Sequence, residues 1–180
     1  MALGRVKAEN AKLLRFFAVA FVAYALWNVA YEQWLKPKTG LDELVIEHMV
    51  ASTEWTFAAL GWPAGTYPQP ETHRDRVGVA GHVGVQIGAP CDGVALFALF
   101  TIFILAFPGS LLRKLWFIPA GIGVLHLANI ARVVVLARIQ ADAPDWLEFN
   151  HDYTFTVIVH GLVFGLWYLW TVVGQGRRET

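Results

Sequence analysis

The 180-residue chain has one cysteine, Cys91, and two serines, Ser52 and Ser110. A lone thiol excludes an intrachain disulfide, a paired-cysteine redox centre and a multi-cysteine zinc site. Neither serine stands in a motif such as G-x-S-x-G, which argues against a serine hydrolase. The six histidines show no H-E-x-x-H or similar ligand spacing, so a histidine metal site has no motif behind it, and no metal or cofactor is expected. Net charge is also missing: 14 basic residues balance 14 acidic ones. That balance by itself says nothing of partners, but the charges are strongly segregated along the chain, and no nucleic-acid partner is expected. Internal repeats and low-complexity tracts are absent, so residues 1–180 read as a single domain.

Apolar residues, in contrast, are abundant: 56% of the chain is hydrophobic and mean hydropathy is +0.47. That composition predicts an integral membrane protein, mainly α-helical, in contact with a lipid bilayer. Four stretches approach the ~20 residues needed to span the hydrocarbon layer: Phe16 to Trp34, Cys91 to Ser110, Trp116 to Ala137 and Tyr153 to Val173. The second has a short strictly apolar core, Val94 to Phe107, and needs its flanks to span. The first follows Arg5, Lys7, Lys12 and Arg15 and resembles a signal peptide. Its apolar run, however, continues through Trp27, Tyr31 and Trp34, so an uncleaved anchor ending in an aromatic belt is expected.

Lysine and arginine set the orientation, because short basic loops resist translocation. With the amino terminus cytoplasmic, the inner segments hold Arg5, Lys7, Lys12, Arg15, Arg113, Lys114, Arg177 and Arg178. Nearly all the acids, from Asp42 to Asp152, then fall outside. Both termini are expected in the cytoplasm, as in a bacterial or archaeal inner membrane.

Residues 35–90 form the expected outer region. Leu41, Leu44, Val45, Met49, Trp55 and Leu60 recur at roughly helical spacing, with Glu43, Glu47 and Glu54 on another face. This predicts an amphipathic helix on the membrane surface or, alternatively, a half-buried fifth helix packed on the bundle. Gly61 to Arg76, rich in proline and glycine, reads as an irregular loop. Val77, Val79, Val83, Val85 and Ile87 alternate around Gly81-His82, which predicts a short β-hairpin leading into Cys91.

Three polar residues fall at the outer borders of different spans. Cys91 stands in Gly-Ala-Pro-Cys-Asp-Gly near the expected first turn of the second span, where helix N–H groups favour a thiolate; the plainer reading is a buried structural cysteine. Arg132 lies inside the third span, about 8 Å of helix from its outer end. A charge there costs about 2.5 to 3.5 kcal/mol unless it finds a partner, so it should face the bundle and meet an anion, snorkel to the interface, or pair with Asp92 or Asp152. His151 opens the fourth span, and an imidazole can take a thiol's proton and return it to a leaving amine. His48, His73, His82, His126 and His160 are its rivals. Asn129, three residues before Arg132 and on nearly the same face, is expected to support it, with Asp92 and Asn150 as further polar neighbours.

Cys-Asp-Gly beginning a span, Asn-x-x-Arg inside the next, and a histidine beginning the one after resemble the exosortase and archaeosortase family of membrane cysteine transpeptidases. The resemblance covers residues 83–173, and Phe-Asn-His-Asp-Tyr-Thr-Phe with Leu166-Trp167-Tyr168-Leu169-Trp170 is most similar to the short exosortase-like proteins. It implies an enzyme that processes exported, membrane-anchored proteins bearing a carboxy-terminal sorting signal: a short motif, a transmembrane helix and a basic cluster. Cys91 matches the nucleophile, Arg132 the arginine and His151 the histidine of that family. The chain departs from it in having fewer spans than long exosortases, and in Asp92, whose charge opposes a neighbouring thiolate. Two other classes fit parts of the sequence: a non-enzymatic assembly or chaperone protein with Arg132 in a structural ion pair, and a metal or proton transporter using His126, Arg132 and His160.

Overall fold

A computed structural model describes residues 2–65 and 75–174, with the side chains of residues 2–9, 12 and 90 set aside. Most of the loop expected over Gly61 to Arg76, with His73, and the basic residues Arg177 and Arg178 lie outside the described residues. The chain is mainly helical. It runs α1 (Ala2–Ala30), a π turn (Tyr31–Leu35), α2 (Lys36–Thr39), α3 (Leu41–Ala59), β1 (Arg76–Val77) and β2 (Val85–Gln86). A 3-10 turn (Ala89–Cys91), α4 (Val94–Ala106), α5 (Leu111–Asp142), a second 3-10 turn (Pro144–Trp146), α6 (Leu147–Phe149), a π turn (Asn150–Thr154) and α7 (Phe155–Val173) follow.

Among the described residues, three helical runs are long and apolar enough to cross a membrane: Leu13–Thr39, Leu111–Asp142 and Pro144–Val173. They present Phe17, Phe21, Leu115, Trp116, Leu127, Val157 and Phe164 outward. Large apolar side chains exposed at this density suit contact with lipid rather than water.

The second expected span is shorter than the sequence indicates. Only 13 residues of α4 are helical, about 20 Å against the ~30 Å hydrocarbon layer. Gly93, at φ +90, stops the helix from extending back to Cys91, and Phe107 turns to extended backbone at its other end. Lys114 closes that end by donating from Nζ to the carbonyls of Leu105 and Phe107, both at 2.8 Å, while Arg113 donates to the last carbonyl of α7, that of Val173, at 2.7 Å. These are charge-assisted C-caps.

The third span is longer than expected. Its 32 residues reach about 48 Å, because the end beyond Ala137 is polar: Arg138 pairs with Asp142 at 2.6 Å and lies 5.0 Å over the Trp62 ring. Arg132 therefore sits about 15 Å of helix from the end of α5, not 8 Å.

Helix α3 packs along α5, as in the alternative of a half-buried helix on the bundle. Its inward stripe is Asp42, Ile46, Met49, Thr53 and Phe57, while Leu44, Trp55 and Leu60 of the expected apolar face point outward. The hairpin forms as a two-stranded antiparallel sheet pairing Arg76 with Gln86 and Val77 with Val85. Under it, Met49, Phe57, Val77, Val79 and Ile87 bury against Ile130, Val133, Val134 and Ala137 of α5. A second core holds α4, α5 and α7 together through Phe100, Ile104, Leu125, Val163 and Trp170, with Phe103 stacked on Trp167 at 4.1 Å.

Close approach of α4 to α5 depends on Gly121, where an added Cβ would lie 2.2 Å from the Phe100 ring. Gly121→Val is expected to destabilise the protein by about 1 to 3 kcal/mol through overpacking, read as a lower midpoint of thermal unfolding in detergent.

Candidate active site

Cys91 and His151 are 60 positions apart and on different elements, yet Cys91 Sγ lies 3.3 Å from His151 Nε2. Local sequence explains each side. On one, the 3-10 turn Ala89–Cys91 closes with the Cys91 N–H on the Gly88 carbonyl at 2.7 Å. Cys91 thus ends that turn, three residues before α4, instead of opening the helix. On the other side, His151 sits in the π turn Asn150–Thr154, and the wider turn re-aims side chains relative to an α-helix.

Asp152 is the residue that sequence reasoning undervalued, having been considered only as an ion partner for Arg132. Its Oδ1 is 2.7 Å from His151 Nδ1, so thiol, imidazole and carboxylate form one line. Consecutive residues on a regular helix do not face each other; the π turn permits it. The local Asn-His-Asp-Tyr string held the pair in view, but nothing in it foretold the turn.

Asn129 holds the cysteine's backbone: its Nδ2 donates to the Cys91 carbonyl at 2.8 Å. Gly93 makes room, since a Cβ there would lie 3.2 Å from that same Nδ2. Arg132 is half-buried and lines two cavities, both of which also contain Cys91 and His151. One, of about 420 Å³, opens between β2, α5 and α6. The other, of about 500 Å³, lies among α1, α4, α5 and α7 and is lined by Tyr24, Leu96, Leu99, Val159 and His160. No acid forms an ion pair with Arg132 among the described residues, so neither of the alternative salt bridges, with Asp92 or with Asp152, forms.

Asp92 and Asn150 are placed elsewhere. Asn150 donates to the Trp146 carbonyl at 2.8 Å, a bond within its own helical segment. Asp92, only 1% exposed, turns away from the thiol; its Oδ1 accepts the Val94 N–H at 2.8 Å and caps α4. That carboxylate, and not the thiol, meets the first N–H of α4. Burial, with the Asp42 carboxylate alongside, pushes the Asp92 carboxyl up to about 7. Asp42 in turn accepts the Tyr31 hydroxyl. The Oδ2 atoms of Asp42 and Asp92 are buried with no hydrogen-bond partner among the described residues.

Asp92 has a pH signature. A carboxyl raised to about 7 binds its proton more tightly folded than unfolded, so its contribution is complete below pH 4 and is lost as pH rises through 7. Wild type is expected to melt lower at pH 8 than at pH 5.5, while Asp92→Asn, which keeps the cap and donates to Asp42, loses this part of the dependence. Thermal unfolding in detergent at the two pH values checks it.

The other histidines among the described residues are not bonded to the thiol. His126 Nε2 meets His48 Nδ1 at 2.9 Å, His160 Nδ1 donates to the Thr156 carbonyl at 2.7 Å, and His82 is exposed on the hairpin turn. His160 shares the cavity of about 500 Å³ with Arg132, but His126 does not line it, so that cavity does not join the three residues a transporter would use. Among the described residues no three His, Cys, Asp or Glu side chains gather around a metal-sized site. No protein-family description, curated protein or solved structure matches this chain.

Proposed function

We propose that the chain is an exosortase-like membrane cysteine peptidase or transpeptidase that cleaves exported proteins at a carboxy-terminal sorting signal. The observation that carries this reading is the 3.3 Å approach of Cys91 Sγ to His151 Nε2, beside an arginine with no acid partner among the described residues. In this reading α4 completes four spans, with both termini cytoplasmic. The site, α3 and the hairpin lie at the outer face of the inner membrane.

His151 accepts the thiol proton through Nε2, and Asp152 stabilises the resulting imidazolium at Nδ1. The Cys91 thiolate attacks the scissile carbonyl, whose π electrons move onto oxygen as an oxyanion. Arg132 provides a fixed positive charge for that oxyanion. Collapse expels the leaving amine, which takes the proton from His151, and leaves an acyl thioester on Cys91. Water or an acceptor amine then releases the product. A substrate held by its own transmembrane helix presents its scissile bond just outside the bilayer, at the depth of this site.

Asp152→Asn tests the line of three. Its pair with His151 is more than half exposed on the aspartate side, so solvent screens it, and the expected loss is about ten-fold in turnover. Processing rates of a coexpressed substrate in membranes measure it. An unchanged rate removes Asp152 from the mechanism.

A further inference from the structure

The site lies beside a sheet edge to which no main-chain group among the described residues bonds. Ile87 N–H donates to the Asp75 carbonyl at 2.8 Å, and with the register Arg76 to Gln86 this makes Arg76 and Gln86 a non-hydrogen-bonded pair. In an antiparallel ladder, alternate residues point their main-chain groups to opposite edges. The main-chain N–H and C=O of Gln86 therefore face away from β1, as do those of Gly84, two residues earlier. The opposite edge of the sheet is already used: Gly65 N–H donates to the Gly78 carbonyl at 2.9 Å, and Ala80 N–H to the Pro63 carbonyl at 2.8 Å.

Gly84 and Gln86 line the outer cavity, and that cavity continues to Cys91, Arg132 and His151. At about 420 Å³ it falls within the usual size of ligand clefts, ~300 to 1,000 Å³. Its far wall is Val133, Leu136 and Gln140 of α5, so a chain entering it has a sheet edge on one side and a helix on the other.

We propose that the substrate segment preceding the scissile bond binds as an added β-strand along Gly84 and Gln86, and so enters the site as an extended peptide. This rests on the peptidase reading above. Strand addition draws affinity from main-chain hydrogen bonds and leaves selectivity to alternate side chains. It also fixes register, because the added strand can slip only in steps of two residues without losing its bonds. The substrate's helix, carboxy-terminal to the cut, then leads into the second cavity, along Tyr24, Leu99 and Val159.

The test uses the full chain in lipid nanodiscs and an acetyl-tetraalanyl chloromethyl ketone. Its chloride is displaced by the Cys91 sulfur to give a thioether that mass spectrometry quantifies. Three further reagents carry one N-methyl group each, at successive residues. Methylation at alternate residues is expected to slow labelling by about ten-fold, the worth of one or two main-chain hydrogen bonds, and methylation between them to matter little. Gln86→Pro, which removes an outward N–H and spares the ladder to β1, should slow the unmethylated reagent by a similar factor. Gln86→Ala, which keeps that N–H, should not. Equal rates for all reagents, or a loss without alternation, overturn strand addition. Iodoacetamide labelling of wild type and His151→Ala reads the peptidase proposal separately: if His151 has no influence on Cys91 labelling, the thiol–imidazole pair itself fails.

Discussion

Cys91→Ala is expected to leave the amount of protein in the membrane unchanged while cleavage of a coexpressed sorting-signal substrate falls by at least about a thousand-fold. Nothing structural depends strongly on the thiol. Cys91 is half-buried at the end of a turn, and Asn129 grips its carbonyl rather than its sulfur. His151→Ala should cost about as much, and the double variant no more than either single one, because nucleophile and base act as a unit. Immunoblotting of substrate and enzyme in the same membranes reads both quantities. Normal cleavage by Cys91→Ala would favour an assembly or chaperone role in place of an enzyme.

Arg132→Gln should give the next-largest loss after those two, about 100- to 1,000-fold in kcat with a smaller change in KM, the range for a preorganised oxyanion donor. Arg132→Lys should recover only part of it, since a lysine carries the charge but not the planar fork of donors. A structural arginine behaves differently: Arg132→Gln would then lower membrane levels, and Arg132→Lys would restore full activity. The absence of an acid partner at Arg132 among the described residues favours the first pattern. A guanidinium with no acid partner among the described residues is free to interact more strongly with an anion that forms during reaction than with the resting site, which lowers the barrier.

The candidate residues were readable in the sequence where hydropathy set their positions. Cys91, Arg132 and His151 stand at the edges of apolar runs, and the fold brings Cys91 to His151 and all three to shared cavities. The hairpin was legible from the alternating valines, and α5 and α7 from their length. Less legible was anything decided by local backbone irregularity. Gly93 at φ +90 moves the start of α4 past Cys91, and the π turn at Asn150–Thr154 lets Asp152 reach the imidazole of its neighbour. Asp92 reads as a charge beside the thiol because the sequence cannot show that its side chain turns toward Val94 and Asp42. The face of α3 was misread for a similar reason: at a lipid boundary both sides of a helix carry apolar residues, so periodicity does not separate core from lipid.

The most direct measurement is intact mass spectrometry of the chain purified from membranes that also contain an exported protein with a carboxy-terminal sorting signal. The account predicts an acyl adduct on Cys91, released by neutral hydroxylamine as expected of a thioester, and absent from Cys91→Ala. Substrate cleaved at a normal rate by Cys91→Ala, with no adduct on the wild-type chain, would contradict it.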